Sequence, residues 1–138
     1  MSMLYIDKSK LMLYFYFVER RMQVSENSGH DFSSYFKRAV SPLMVLALLR
    51  GNEMYGYEIT QEINRRTNKK LSIAVLYPVL YRLEEQGYVR IANTVIENGR
   101  ARNYYATTQA GEDYLDRVYG DFLELSALFR KIVEGENT

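Results

Sequence analysis

Apolar residues recur at helical spacing through residues 71–87, LSIAVLYPVLYRLEEQG. Ile73, Leu76, Leu80 and Leu83 step by three, four and three, which is one stripe of a helix. Ser72 suits the N-cap, where its hydroxyl can accept from an unpaired helical N–H. Gly87 suits C′, where glycine enters the left-handed region without a Cβ penalty. The pattern therefore predicts a helix between Ser72 and Gly87, slightly kinked at Pro78, which cannot bond to the Ala74 carbonyl. A surface helix normally answers its apolar stripe with Lys and Glu. Here the other face carries Ala74, Val75, Tyr77, Pro78, Tyr81 and Arg82. That face is expected to meet a partner.

Other patterns surround this one. Ser41-Pro42 reads as an N-cap with proline at the first helical position, opening PLMVLALL, a helix apolar on every side and so buried or shared. Residues 53–56 make a turn, and residues 57–67 form a second helix with Ile59 and Ile63 inward and a Glu62–Arg66 pair outward. Two short helices separated by a few residues match the helix-turn-helix plan. After Gly87 the period changes to that of a strand over residues 88–96, with Val89, Ile91 and Val95 on one side. Asn98-Gly99 signals a type I′ hairpin, and residues 101–106 return as its second strand. Arg100 and Arg102 sit near its tip.

Thr107-Thr108 caps a last helix over residues 109–133. Leu115, Val118, Phe122, Leu125, Phe129 and Ile132 step alternately by three and four, a heptad seam that needs a second helix to bury it. The body offers few elements to cover so long a seam, so a second copy of the chain is the expected partner. Gly120 marks either a close approach or a bend.

The first 36 residues are less legible. Residues 11–18, LMLYFYFV, are apolar, but eight residues are too few to span a bilayer, which needs roughly 20, and no small-residue cleavage site follows. They form either a short element against the body or an upstream extension. A semi-ordered appendage is favoured, with the Ser/Asn/Gly/Asp-rich residues 25–34 as linker. The domains expected are thus residues 1–36 as a partly ordered extension, 37–106 as the helix-turn-helix body with its hairpin, and 107–138 as a long helix and tail.

Composition and charge narrow the chemistry. With 138 residues the chain is one domain's worth. It has no cysteine, which removes disulfides and thiolate metal sites and is compatible with the cytoplasm. His30, the one histidine, reads as a solvated loop residue without metal-ligand neighbours. The net charge of +1 hides +5 over residues 37–111 and −4 over residues 112–138. A moderately basic middle suits a polyanion. No catalytic triad, metal cluster or phosphate-cradling glycine loop is present, so no enzyme, cofactor or metal is expected.

As an ordered set these pieces resemble the PadR-like family of winged-helix regulators. The matching residues are 43–49, then Tyr55-Gly56-Tyr57-Glu58-Ile59, Leu76-Tyr77-Pro78, Leu80, Arg82-Leu83-Glu84 and Gly87-Tyr88-Val89. In the hairpin and beyond, Gly99-Arg100, Tyr104-Tyr105, Thr108 and Gly111 match too. The resemblance covers roughly residues 37–132 and looks like the short type with a single C-terminal helix. It implies a homodimeric repressor on a pseudo-palindromic operator. In some members a flat apolar pore between the last helices holds aromatic effectors, which here would be lined by Tyr119, Phe122, Leu125 and Phe129. The chain departs from the family in Thr107, where leucine is usual, in its N-terminal extension, and in lacking a tryptophan on the last helix.

The fold class expected is mainly α with a small hairpin: a winged helix-turn-helix followed by a long dimerisation helix. Ser72, Ala74 and Val75 would open the recognition helix in the major groove, with Ala74 or Val75 against a thymine methyl. Tyr77 would hold a phosphate, helped by Tyr55 and Arg82, and Arg100 and Arg102 would meet phosphate or the minor groove. Tyr77 as a half-buried cover for the core, and the wing arginines as an ordinary solvated tip, are the alternatives for those residues. A winged helix that dimerises or docks on another protein without binding DNA is the alternative function. Deleting residues 1–24 is expected to leave folding and DNA binding intact by circular dichroism and gel shift; an unfolded product would place LMLYFYFV in the core.

Overall fold

The computed structural model describes residues 31–135. In order they form α1 (Phe32–Leu49), α2 (Gly56–Thr67), α3 (Tyr77–Glu85), β1 (Val89–Glu97), β2 (Arg100–Thr107) and α4 (Gln109–Glu134). Phe36–Tyr119 make one compact unit; residues 31–35 and 120–135 are the described part of a second. The apolar run at residues 11–18, expected to be an appendage, lies outside the described residues.

In the first unit three helices close around one core. Val45, Leu46 and Leu49 of α1 meet Ile59 and Ile63 of α2, Leu80 and Leu83 of α3, Leu76 before it, Val89, Tyr105 and Leu115. The helix expected to start at Ser41 starts instead at Phe32. Asp31 caps it, its carboxylate accepting from the Ser34 N–H at 2.6 Å, so Ser33 and Ser34 are helical rather than linker. Pro42 thus lies inside α1, where it removes the bond to the Arg38 carbonyl. Ser41, buried, turns its hydroxyl to the carbonyl of Lys37. Asn52 closes the far end through the Leu48 carbonyl at 3.1 Å.

The recognition helix is shorter than its pattern suggests. It begins at Tyr77, with Leu76 as N-cap and Pro78 in the first turn. Proline is tolerated there because its missing N–H would find no intrahelical partner. The kink expected at Pro78 therefore has no cause. Ser72 is not the cap: its hydroxyl lies 2.6 Å from Asn64 Oδ1 and 2.9 Å from the Lys69 carbonyl, tying the connection to the end of α2. The other end is as expected. Gly87 has φ +78°, and the Tyr88 and Gly87 N–H groups donate to the Leu83 and Glu84 carbonyls, a Schellman closure.

The hairpin turns at Asn98 and Gly99, both with positive φ as a type I′ turn requires, pairing Glu97 with Arg100. Val89 is buried, Ile91 exposed and Val95 half-buried, and a bulge at Ala92 shifts the register between Ile91 and Asn93, which puts Val95 out of phase with the first two. Met54 adds a third, one-residue strand: its N–H donates to the Tyr105 carbonyl at 3.1 Å and its carbonyl accepts from the Tyr105 N–H at 2.8 Å.

Thr108 anchors α4. Its hydroxyl oxygen accepts from the Gly111 N–H at 3.1 Å and the hydroxyl donates to the Gly87 carbonyl at 2.6 Å. Tyr88 stacks on Tyr114 at 4.4 Å, and Arg50 reaches Asp116 at 2.7 Å. Leu115 is buried and Val118 half-buried, so the seam begins inside the body. Among the described residues no helix is long and apolar enough to cross a membrane.

Gly111 and Gly120 differ in what a side chain would meet. A Cβ at Gly111 would collide with the backbone oxygen of Tyr88, whereas one at Gly120 meets nothing within 4 Å. Gly111→Ala is expected to lower Tm by about 5 °C or more through overpacking. Gly120→Ala is expected to raise it by a few degrees through helix propensity, roughly 1 kcal/mol. Calorimetry of both variants checks this; equal shifts would contradict the close approach at Gly111.

Candidate nucleic-acid interface

The exposed side of α3 is built by what its buried side needs. Leu76, Leu80 and Leu83 point into the core, which turns Tyr77, Pro78, Tyr81, Arg82 and Glu85 outward. Val75 is 63% exposed and Ala74 is exposed beside it, both in the loop that leads into the helix. Tyr77 is half exposed and lies 5.9 Å from Tyr81, ring to ring. Its hydroxyl end rests on Gly56, at 2.7 Å from where a Cβ would stand. Glycine at the first residue of α2 is what lets this tyrosine lie across the helix start.

Tyr55 caps α2 from the other side. Its N–H donates to Glu58 at 3.2 Å, the acidic half of a capping box. The Tyr55 ring goes to the wing, 5.3 Å from Tyr104 and 4.9 Å below the Arg102 guanidinium. Tyr57 stacks at 6.3 Å. Partial burial, then the charge of Glu58, pushes the Tyr104 hydroxyl above its usual pKa, so it stays protonated. Tyr105 is pushed up by burial first.

The basic residues divide into engaged and open ones. Arg65 and Arg66 both clasp Glu62, Arg66 at 2.7 Å, and hold its carboxyl down at about 2. Arg102 pairs with Glu97 at 2.5 Å. Lys69, Lys70, Arg82, Arg90 and Arg100 are exposed and have no ion-pair partner among the described residues.

All the candidate residues but Ser72 fall into three places. Tyr55, Tyr77 and Arg102 gather around residues 54–57. Ala74, Val75 and Arg82 lie along α3 and its leading loop, and Arg100 stands alone at the wing tip. Ser72 is set apart, its hydroxyl turned toward α2. Sequence reasoning missed Lys69, Lys70 and Arg90, and it missed Gly56 and Met54 as structural contacts. Tyr55-Gly56-Tyr57 is visible as a motif, but only the long-range Met54–Tyr105 pairing gives it meaning. Of the apolar candidates on α4, Leu125 and Phe129 are exposed and Ile132 is 83% exposed. An open groove of about 460 Å³ lies elsewhere, lined by residues that include Met54, Glu58 and Glu62 and none of the four effector candidates. Among the described residues no group of three His, Cys, Asp or Glu could hold a metal.

A basic hairpin and an aromatic helix face on a helix-turn-helix body set the arrangement beside known proteins. Residues 45–117 match the Transcriptional regulator PadR-like family. The chain belongs to that family. A transcriptional regulator of Mycobacterium tuberculosis is 35% identical over 102 residues, 74% of this chain and 91% of its own length. The structure of a Clostridium thermocellum transcriptional regulator superimposes with a TM-score of 0.64 at 28% identity, covering 70% of this chain and 95% of that one. Bacillus subtilis PadR, whose structure was solved in complex with operator DNA, superimposes with a TM-score of 0.53 at 26% identity, covering 58% of this chain and 46% of that one. The PadR-like fold is therefore a winged helix in which α2 and α3 form the helix-turn-helix, β1 and β2 the wing, and α4 the long final helix. The family is one of transcriptional regulators rather than enzymes.

The contact between Gly56 and Tyr77 can be measured by a double-mutant cycle. Gly56→Ala is expected to cost about 1–2 kcal/mol in the wild-type background and almost nothing alongside Tyr77→Ala. Urea denaturation reads both; equal costs would mean that Tyr77 does not rest on this glycine.

Proposed function

We propose that this PadR-like regulator works in the cytoplasm as a homodimer that binds operator DNA and represses transcription, released by a small apolar or aromatic effector. The observation that carries the DNA reading is the exposed face of Val75, Tyr77, Tyr81 and Arg82, with open cations before it at Lys69 and Lys70 and after it at Arg90 and Arg100. Val75 and Ala74 suit thymine methyls, the tyrosine hydroxyl suits phosphate oxygen, and the open cations suit the backbone. Neither Asn nor Gln stands on the exposed part of α3, so base reading is thin and groove shape contributes through the wing. That Bacillus subtilis PadR was solved with operator DNA supports the same assignment.

The exposed seam of α4 supports the dimer. Leu125, Phe129 and Ile132 continue the heptad seam at 63%, 62% and 83% exposure. Burying each is worth about 1.5–3 kcal/mol. Two such helices would bury the seam mutually and supply the second reading head of a palindrome. An effector would lodge between them, against Tyr119, Phe122, Leu125 and Phe129, and change the spacing of the heads.

Affinity for duplex DNA from upstream of its own gene, measured by anisotropy over a range of salt, tests the DNA reading. The logarithm of affinity should fall linearly with that of salt, and Arg100→Ala should flatten the slope by about 0.9 for each phosphate that is no longer neutralised. Affinity independent of salt would favour a protein-docking module instead. Phe129→Asp should sediment as a monomer; a persisting dimer would remove the seam from the interface.

A further inference from the structure

We infer that Arg102 is a positioning residue of the wing, which acts through the ring of Tyr55, and that the wing's charge toward nucleic acid comes from Arg100. The inference rests on the DNA-binding reading above for its functional consequence, and on geometry for the contact itself. Arg102 is engaged on two sides. Its guanidinium lies 4.9 Å over the Tyr55 ring, and the Glu97 carboxylate meets it at 2.5 Å from across the hairpin. Such a cation offers little net charge to a phosphate, because a carboxylate already neutralises it and an aromatic face already covers its plane. Arg100, two residues away at the exposed tip, has no ion-pair partner among the described residues. Glu97 would repel DNA if its only neighbour were solvent. As the partner that orients Arg102 it has a reason to stand there.

Tyr55 connects the two reading elements. Arg102 and Tyr104 project from the same side of β2, and both meet the Tyr55 ring, Tyr104 at 5.3 Å. The residue before Tyr55 is bonded to β2 through the Met54–Tyr105 bridge. The residue after it, Gly56, carries the hydroxyl end of Tyr77 from α3. Wing and recognition helix therefore take their placement from the same three residues, Met54, Tyr55 and Gly56. Loosening the Arg102–Tyr55 contact frees the hairpin's angle without removing a phosphate contact. Its signature is weaker binding at an unchanged salt slope.

The test compares wild type with Arg102→Gln, Tyr55→Leu, their double variant, Tyr55→Phe and Arg100→Gln, every Arg102→Gln chain also carrying Glu97→Gln so that the ion pair is removed without a change of net charge. Each is read by salt-dependent binding to the upstream duplex and by amide hydrogen exchange at Met54 and Tyr105 in the free protein. Arg102→Gln and Tyr55→Leu should each lower affinity about two- to thirtyfold, the range a cation–π contact spans, with the slope of wild type. The double variant should be no weaker than either alone, and Tyr55→Phe, which keeps the ring, should recover most of the loss. Exchange at the Tyr105 amide should quicken in both single variants and not in Arg100→Gln. A slope that drops in Arg102→Gln as it does in Arg100→Gln would overturn the inference, as would losses that multiply in the double variant. Wild type without salt-dependent affinity would sink the DNA reading alone; unchanged exchange in Arg102→Gln and Tyr55→Leu would sink the contact whatever the DNA result.

Discussion

Two hydrogen bonds between Met54 and Tyr105 hold this fold's working parts in register. They bring the chain entering α2 against the wing, and they do so at the point where α3 also arrives. A backbone that forms this bridge satisfies its own donors and acceptors, and it fixes which side chains can follow. Tyr55 must then turn toward β2. Gly56 must stay bare, because the hydroxyl end of Tyr77 occupies the space its side chain would fill. A one-residue strand thus constrains both elements proposed to touch DNA.

Sequence is legible here where the chemistry is local. Asn98-Gly99 turns the hairpin because both residues tolerate positive φ, and Gly87 closes α3 for the same reason. Ile59 and Ile63 face the core, and Thr108 caps α4. The two prolines mislead in opposite directions. Ser41-Pro42 carries the signature of a helix start and lies within a helix, where the Asp31 cap further upstream decides. Pro78 resembles an interior residue because the apolar stripe on the opposite face begins before it, at Ile73, yet the helix starts at Tyr77. Periodicity continues across a turn when the turn residue is itself packed, as Leu76 is. The bulge at Ala92 and the bridge at Met54 depend on pairing across many residues, which no short window of sequence contains.

Electrostatics follows the same division between count and placement. A net excess of base in the middle of the chain says only that a polyanion is a reasonable partner. The structure sorts those bases by what already holds them. Arg65 and Arg66 are committed to Glu62, and Arg50 to Asp116. Among those left open, Lys69 and Lys70 precede the aromatic face of α3 along the chain, Arg82 stands on it, and Arg90 and Arg100 follow it. That distribution, more than the count, is what supports DNA as the partner, because surface ion pairs contribute little to stability and open cations contribute directly to phosphate binding.

Two reading heads joined by α4 would bind DNA with a geometry set by the dimer. Hydroxyl-radical footprinting on the DNA upstream of the protein's own gene measures that geometry directly. Two protected patches related by a dyad are expected, their centres a whole number of helical turns apart, about 10 base pairs each. No protection, or one patch without a symmetry mate, would contradict that geometry.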